Sequence, residues 1–258
     1  MDLGLQRKVA IVTGATRGIG TAIASVLVEE GMKVVLNHLA EPEQAIEVCA
    51  KLGERAVSFD ADVGDPKAVE AMVKHAESHF GGLDLMVHNA GVTTRQGIVD
   101  TPHEDWQKVM RTNLDGAYHT ARFSARSMID RGIKGSFIAI SSLHGKVAKA
   151  DMGGYCASKA AIDMLVRQLS VELAPHGIRA NAVAPGTIDT GMNPIYHATD
   201  AESIRRRERL FDRVPMAGLG SPRTIGDAVA FLASERSNYT TGSIHYVDGG
   251  YTADGTPR

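Results

Sequence analysis

A short apolar run, Val9-Ala10-Ile11-Val12, leads directly into Thr13-Gly14-Ala15-Thr16-Arg17-Gly18-Ile19-Gly20, and apolar residues at helical spacing follow at Ile19, Ala22, Ile23, Val26 and Leu27. A strand, a glycine-rich turn and a helix in that order open a βαβ unit. Such a unit demands a parallel sheet covered by helices, with ligands at the carboxyl ends of its strands. The rest of the chain keeps the same alternation. Lys33–Asn37, Ala56–Phe59, Leu85–His88, Phe137–Ile140, Arg179–Ala184 and Ile244–Val247 read as further strands, separated by helical patterns. The expected fold class is α/β, a doubly wound sheet with helices on both faces.

Several helix starts are marked. Asp65-Pro66 and Ser221-Pro222 each pair a capping side chain with Pro at the first helical position, and Thr101-Pro102-His103-Glu104 reads as a capping box. The last opens one long helix carrying Trp106, Val109, Met110, Asn113, Leu114 and Ala117. No internal repeat or low-complexity linker interrupts the chain, so residues 1–258 read as one domain. The stretch from about 187 to 220 has no strand pattern and is longer than an ordinary connection, which marks it as a substrate-loop or lid insertion. It holds Arg205-Arg206-Arg207 and Arg209; the bland reading of these is a solvated helix face beside Glu202 and Glu208.

Composition excludes several classes. A net charge of −2 argues against a nucleic-acid binder. No apolar run is long enough to span a membrane, and the N-terminus has no signal-peptide core. Cys49 and Cys156 form neither a metal spacing nor a disulfide framework, so no metal is expected and two reduced thiols point to the cytoplasm.

The glycine-rich turn has the chemistry of a dinucleotide site. Glycines let the backbone approach a pyrophosphate, and the helix that follows offers free N–H groups to the anion. A second constellation lies at Tyr155-Cys156-Ala157-Ser158-Lys159. Tyr and Lys four apart share a helix face, and a nearby cation favours phenolate, lowering a pKa otherwise near about 10. That makes Tyr155 a candidate proton donor and acceptor. Ser141-Ser142 ends a strand upstream, and His144 follows closely enough to touch substrate or to stand as a solvated loop histidine.

With these residues in order, the chain resembles the short-chain dehydrogenase/reductase family. The resemblance runs from about Arg7 to Gly250 and rests on Thr13 to Gly20, Asp62-Val63, Asn89-Ala90-Gly91, Asn113, Ser142, Tyr155-x-x-x-Lys159 and Pro185-Gly186. It implies a Rossmann-type domain with a seven-stranded parallel sheet, a nicotinamide cofactor and a homotetramer. It also implies a catalytic tetrad. Tyr155 is the general acid or base, and Lys159 tunes it and binds the nicotinamide ribose. Ser142 holds the substrate oxygen, and Asn113 holds a relay water. Gly14, Thr16, Arg17, Gly18, Ile19 and Gly20 would cradle the pyrophosphate. Asp62 and Val63 would meet the adenine, Asn89, Ala90 and Gly91 would line the sheet edge, and Pro185, Gly186, Ile188 and Thr190 would flank the nicotinamide. The family pattern carries Asn where His88 stands, which calls into question one backbone contact.

NADP(H) is favoured over NAD(H). The end of the second strand carries Asn37 and His38 rather than an acid, and Arg17 in the turn suits a 2′-phosphate. Glu41 and Glu43 pull the other way by raising the local negative potential. The expected activity is interconversion of a secondary alcohol and a carbonyl by hydride transfer, with a sugar or polyol as candidate substrate because His144, Lys146 and Lys149 surround the cleft mouth. The alternative is a 3-oxoacyl-thioester (acyl-carrier-protein) reductase, whose acidic partner would dock on Arg126, Arg131 and the 205–209 cluster. A non-catalytic dinucleotide sensor or scaffold is the remote alternative.

Overall fold

The structure is a computed structural model that describes residues 2–191 and 196–254. Positions 192–195 of the 187–220 stretch and 255–258 of the C-terminal segment lie outside the described residues. Seven strands form one parallel sheet in the order β3-β2-β1-β4-β5-β6-β7. They are β1 (Val9–Val12), β2 (Lys33–His38), β3 (Ala56–Asp60), β4 (Leu85–His88), β5 (Ser136–Ile140), β6 (Arg179–Pro185) and β7 (Ile244–Val247). The order reverses between β1 and β4, and that switch point opens a crevice at the carboxyl edge.

Continuous apolar strands follow from burial on both faces. Along β1, Ala10 and Val12 pack with helices α1 (Gly18–Glu29) and α8 (Pro222–Ala233). Val9 and Ile11 pack on the opposite face with α3 (Pro66–Phe80), α5 (Gly116–Asp130) and α6 (Gly153–Leu173). The remaining helices are α2 (Pro42–Leu52), α4 (His103–Met110) and α7 (Ala201–Phe211). Asp65 and Ser221 cap α3 and α8 through their side chains, as their sequence predicts.

One sequence expectation gives way. The Thr101 capping box does not form: Pro102 is extended (φ −56°, ψ 144°) and is itself the N-cap, so the helix begins at His103. The Thr101 hydroxyl donates instead to the Gly97 carbonyl at 2.9 Å. The long helix runs on as expected, with a π-helical turn at Arg111–Asp115 between α4 and α5. In the 187–220 stretch, α7 carries the arginines. Arg205, Arg206 and Arg209 are exposed, whereas Arg207 donates to the carbonyls of Tyr196 and Ala198.

Candidate active site

Tight backbone geometry builds the floor of the crevice. Gly14 is left-handed (φ +60°), and a Cβ on Gly20 would lie 2.2 Å from the Gly14 carbonyl oxygen, so no side chain fits either turn of the chain. The turn is then tied to β4. The Thr13 hydroxyl accepts from the N–H groups of Asn89 and Ala90 at 2.9 Å, and the Asn89 amide donates to the carbonyls of Thr13 and Gly14, also at 2.9 Å. Arg17, the N-cap of α1, makes no side-chain cap, which leaves the first α1 amides open to an anion.

The opposite wall comes from β5 and α6. One cleft of about 370 Å³ is lined by Gly14, Thr16, Arg17, Ile19, Gly20, Asn89, Ala90, Gly91, Ser142, Tyr155, Lys159, Pro185, Gly186 and Thr190. Ser142 starts a short 3₁₀ turn, and its oxygen accepts from the His144 N–H at 3.1 Å, which leaves its hydrogen for another acceptor. Lys159 is buried and donates to the Ile140 carbonyl at 2.8 Å, with its Nζ 5.6 Å from the centre of the Tyr155 ring.

The electrostatics differ from the sequence expectation. Burial pushes the Tyr155 phenol above its ordinary value, and a hydrogen bond with Ser142 pulls it back. The net lowering of the phenol expected from Lys159 does not hold: burial raises it, and the group that lowers it is Ser142. Lys159 itself is lowered to about 8 by burial, against the opposing pull of Asp163. Asp163 was not among the sequence candidates. It is buried one turn beyond Lys159, is raised by burial, and accepts from Ser141 at 2.5 Å. An Asp four residues after a Lys on one helix was the available signal.

Asn113 sits in the π turn, fully buried. Its amide donates to the Val92 carbonyl and meets the Ser158 hydroxyl at 3.0 Å, and its Oδ1 accepts from the Val92 N–H at 2.8 Å. A Cβ on Gly91 would come 3.3 Å from that Oδ1 and 3.6 Å from Lys159 Nζ, so the space between them borders both groups. His88 lies between two polar groups: its Nε2 is 3.2 Å from the Asn113 carbonyl and its Nδ1 3.2 Å from the Thr120 hydroxyl. Burial, then Lys159, hold this imidazole down to about 3, so it is neutral and carries its proton on Nε2, facing the carbonyl.

Other expected contacts stand outside this cleft. Asn37 is buried with its amide donating to the Ala61 and His38 carbonyls. The Asp62 carboxylate is held by Arg111 at 2.8 Å and by the Gly64 N–H. Val63 packs against Gly116, and Gly18 is the left-handed first residue of α1. Ile188 packs against Gly220; the flanking Thr187 and Asp189 make that bridge, leaving out the Ile188 N–H. His144 is half-buried beside the serine, its Nδ1 3.0 Å from the Val147 carbonyl, and burial lowers its pKa. His38 accepts from the Glu41 N–H through Nδ1 at 3.3 Å. Glu41 itself carries a second unforeseen contact, with Thr16 and Arg17. Arg131 donates to the Gly81 carbonyl just before β4, at the amino edge of the sheet, so it forms no common patch with the α7 arginines, and Arg126 pairs with Asp130.

The residues therefore fit a dinucleotide: a glycine cradle, open helix amides, and a buried lysine beside a tyrosine and a serine. Among the described residues no cluster suits a metal ion, and no helix is long and apolar enough to cross a membrane.

Known proteins place this geometry. Residues 14–252 match the family model described as enoyl-(acyl carrier protein) reductase. The chain is 37% identical to glucose 1-dehydrogenase 2 of Bacillus subtilis over 255 residues, covering 96% of each. It is 38% identical to L-rhamnose 1-dehydrogenase (NAD(P)(+)) of Azotobacter vinelandii, covering 94% of this chain and 96% of that one. A short-chain type dehydrogenase/reductase from Mycobacterium marinum superposes with a TM-score of 0.88 at 34% identity, covering 98% of this chain and 99% of that one. The chain belongs to the short-chain dehydrogenase/reductase family and is an NAD(P)-dependent oxidoreductase.

Proposed function

We propose that the chain oxidises a secondary alcohol, or reduces the matching carbonyl, on a sugar or polyol. The observation that carries this reading is the meeting of Ser142, Tyr155 and Lys159 on the wall that faces the glycine turn. The nicotinamide supplies or takes the hydride when bound. Ser142 turns the hydrogen it shares with Tyr155 to the substrate oxygen, stabilising charge as it develops there. Tyr155 gives its phenolic proton to that oxygen in reduction and takes it in oxidation. Lys159, as ammonium, holds ribose hydroxyls and supplies the positive charge that favours phenolate. Asn113 fixes the Val92 backbone and Ser158, and with Gly91 it bounds the space through which a water would link Lys159 to solvent.

Arg17 and Thr16 are the donors a 2′-phosphate would reach once it displaces the Glu41 carboxylate that holds them, and they support use of NADP(H). The contacts expected of Asp62, Val63, Ile188 and Thr190 belong to the same bound dinucleotide. Exposed apolar side chains on α5, α6 and α8, among them Tyr118, Met164, Val171 and Phe231, support a homotetramer. The free thiols Cys49 and Cys156 suit a reducing compartment such as the cytoplasm.

The sugar reading draws on the polar mouth around His144 and on the relatives named for glucose and rhamnose. A second reading, reduction of a 3-oxoacyl thioester, draws on the cations around Lys149. Partial burial, then Arg95, Arg206 and Arg213, lower the Lys149 pKa, a setting that would accept a phosphate-bearing acyl carrier. A turnover screen of sugars, polyols and 3-oxoacyl thioesters at saturating dinucleotide separates the two. Turnover of sugars or polyols is the expected result, and turnover of thioesters alone would sink the sugar reading.

A further inference from the structure

The turn between β2 and α2 is built to deliver one carboxylate to the glycine-rich loop. Ala40 adopts a left-handed conformation (φ 52°) rare for a residue with a side chain, and its N–H is held by Asp60 at 3.2 Å. The chain thereby reverses, and Glu41 enters α2 as its N-cap. Its carboxylate does not cap that helix. It accepts from the Thr16 hydroxyl through one oxygen and from the Arg17 guanidinium through the other. The His38 imidazole accepts from the Glu41 N–H and fixes the backbone behind it. The Thr16 hydrogen bond first, and then Arg17, hold the carboxyl below its usual range, so the group is an anion at neutral pH.

Thr16 and Arg17 line the cleft, and they are the groups the chain offers to a phosphate on the adenosine ribose. The residue after His38, where a second cation could add to Arg17, is Leu39. Glu41 therefore occupies with its own negative charge the donors that a 2′-phosphate would need. The geometry points to Glu41 as the residue that sets the choice between the two dinucleotides. NADP(H) binds only by displacing this carboxylate from Thr16 and Arg17. NAD(H), with neutral ribose hydroxyls, binds with the carboxylate in place as their acceptor. The inference rests on the dinucleotide reading of the cleft and adds a selectivity determinant to it.

The test is a fluorescence titration of the full chain with NADPH and with NADH. The ratio of the two dissociation constants is the readout, and turnover is not needed. Glu41→Gln removes the charge and keeps the shape. It should tighten NADPH by about tenfold, equivalent to about 1.4 kcal/mol, and leave NADH unchanged or weaker. In Glu41→Gln/Arg17→Met the gain in the ratio should vanish, because released Arg17 is its source. An unchanged ratio in Glu41→Gln, or a gain that survives loss of Arg17, overturns the assignment. Failure of the wild-type chain to bind either dinucleotide overturns the dinucleotide reading itself, and the assignment with it.

Discussion

The two walls of the cleft mouth are built on opposite terms. On the β5–α6 side, Ser142, Lys159 and Asp163, with Asn113 of the π turn bonded to α6, are buried, and each has a fixed hydrogen-bonding partner or sits against one. On the α7 side, Arg206 and Arg213 are exposed, as is Arg95 across from them; Lys149 stands partly desolvated among them, and the charges they present to one another are of the same sign. Buried groups tolerate one geometry, because an unpaired polar atom there is costly. Exposed cations keep their water and wait for a counter-charge. On the proposed function, the chemical step belongs to the first wall and the choice of substrate to the second.

Substitutions on the buried wall should damage turnover far more than those on the exposed one. Lys159→Ala should lower kcat by about 10³ and also weaken the dinucleotide, read by steady-state kinetics and titration. Asp163→Asn should cost less, about tenfold in kcat. Its stronger signature is in pH. Lys159 is cationic below about 8 and neutral above it, so wild-type dinucleotide affinity should fall as pH rises through about 8. Removing the Asp163 charge lowers the lysine further, so in that variant the fall should come at a lower pH. A fall at an unchanged pH would show that Asp163 does not tune Lys159.

Lys149→Ala and Arg206→Ala should raise KM by about three- to tenfold for a substrate carrying a phosphate or carboxylate, with kcat and the KM of a neutral substrate little changed. A large loss of kcat in either would place the exposed wall in the chemistry and break the division. Arg205→Ala, on the same helix but not among the charges that act on Lys149, should change neither parameter by more than about twofold.

The buried wall was also the more legible in the sequence. Strand periodicity fixes where β5 ends and therefore where Ser142 lies, and the helical repeat puts Tyr155 and Lys159 on one face. Periodicity does not reveal contacts made between separate turns. The Thr13 hydroxyl reaches the amides after β4 only because two strands end side by side. Glu41 reaches Arg17 only because Ala40 turns left-handed. The π turn at Arg111–Asp115 is equally silent, since the stripe of Trp106, Val109, Met110, Asn113, Leu114 and Ala117 runs through it at ordinary helical spacing. The Lys159 effect on Tyr155 was overstated for a related reason. Sequence spacing gives the approach of the cation but not the burial that opposes it.

The central claim is that Tyr155 moves the proton while the rest of the cleft holds the dinucleotide. Tyr155→Phe removes one hydroxyl and little else, so NADPH should titrate with the wild-type dissociation constant while turnover, followed by nicotinamide absorbance, falls by about 10²–10⁴. Wild-type turnover in that variant, with dinucleotide binding intact, would contradict the account.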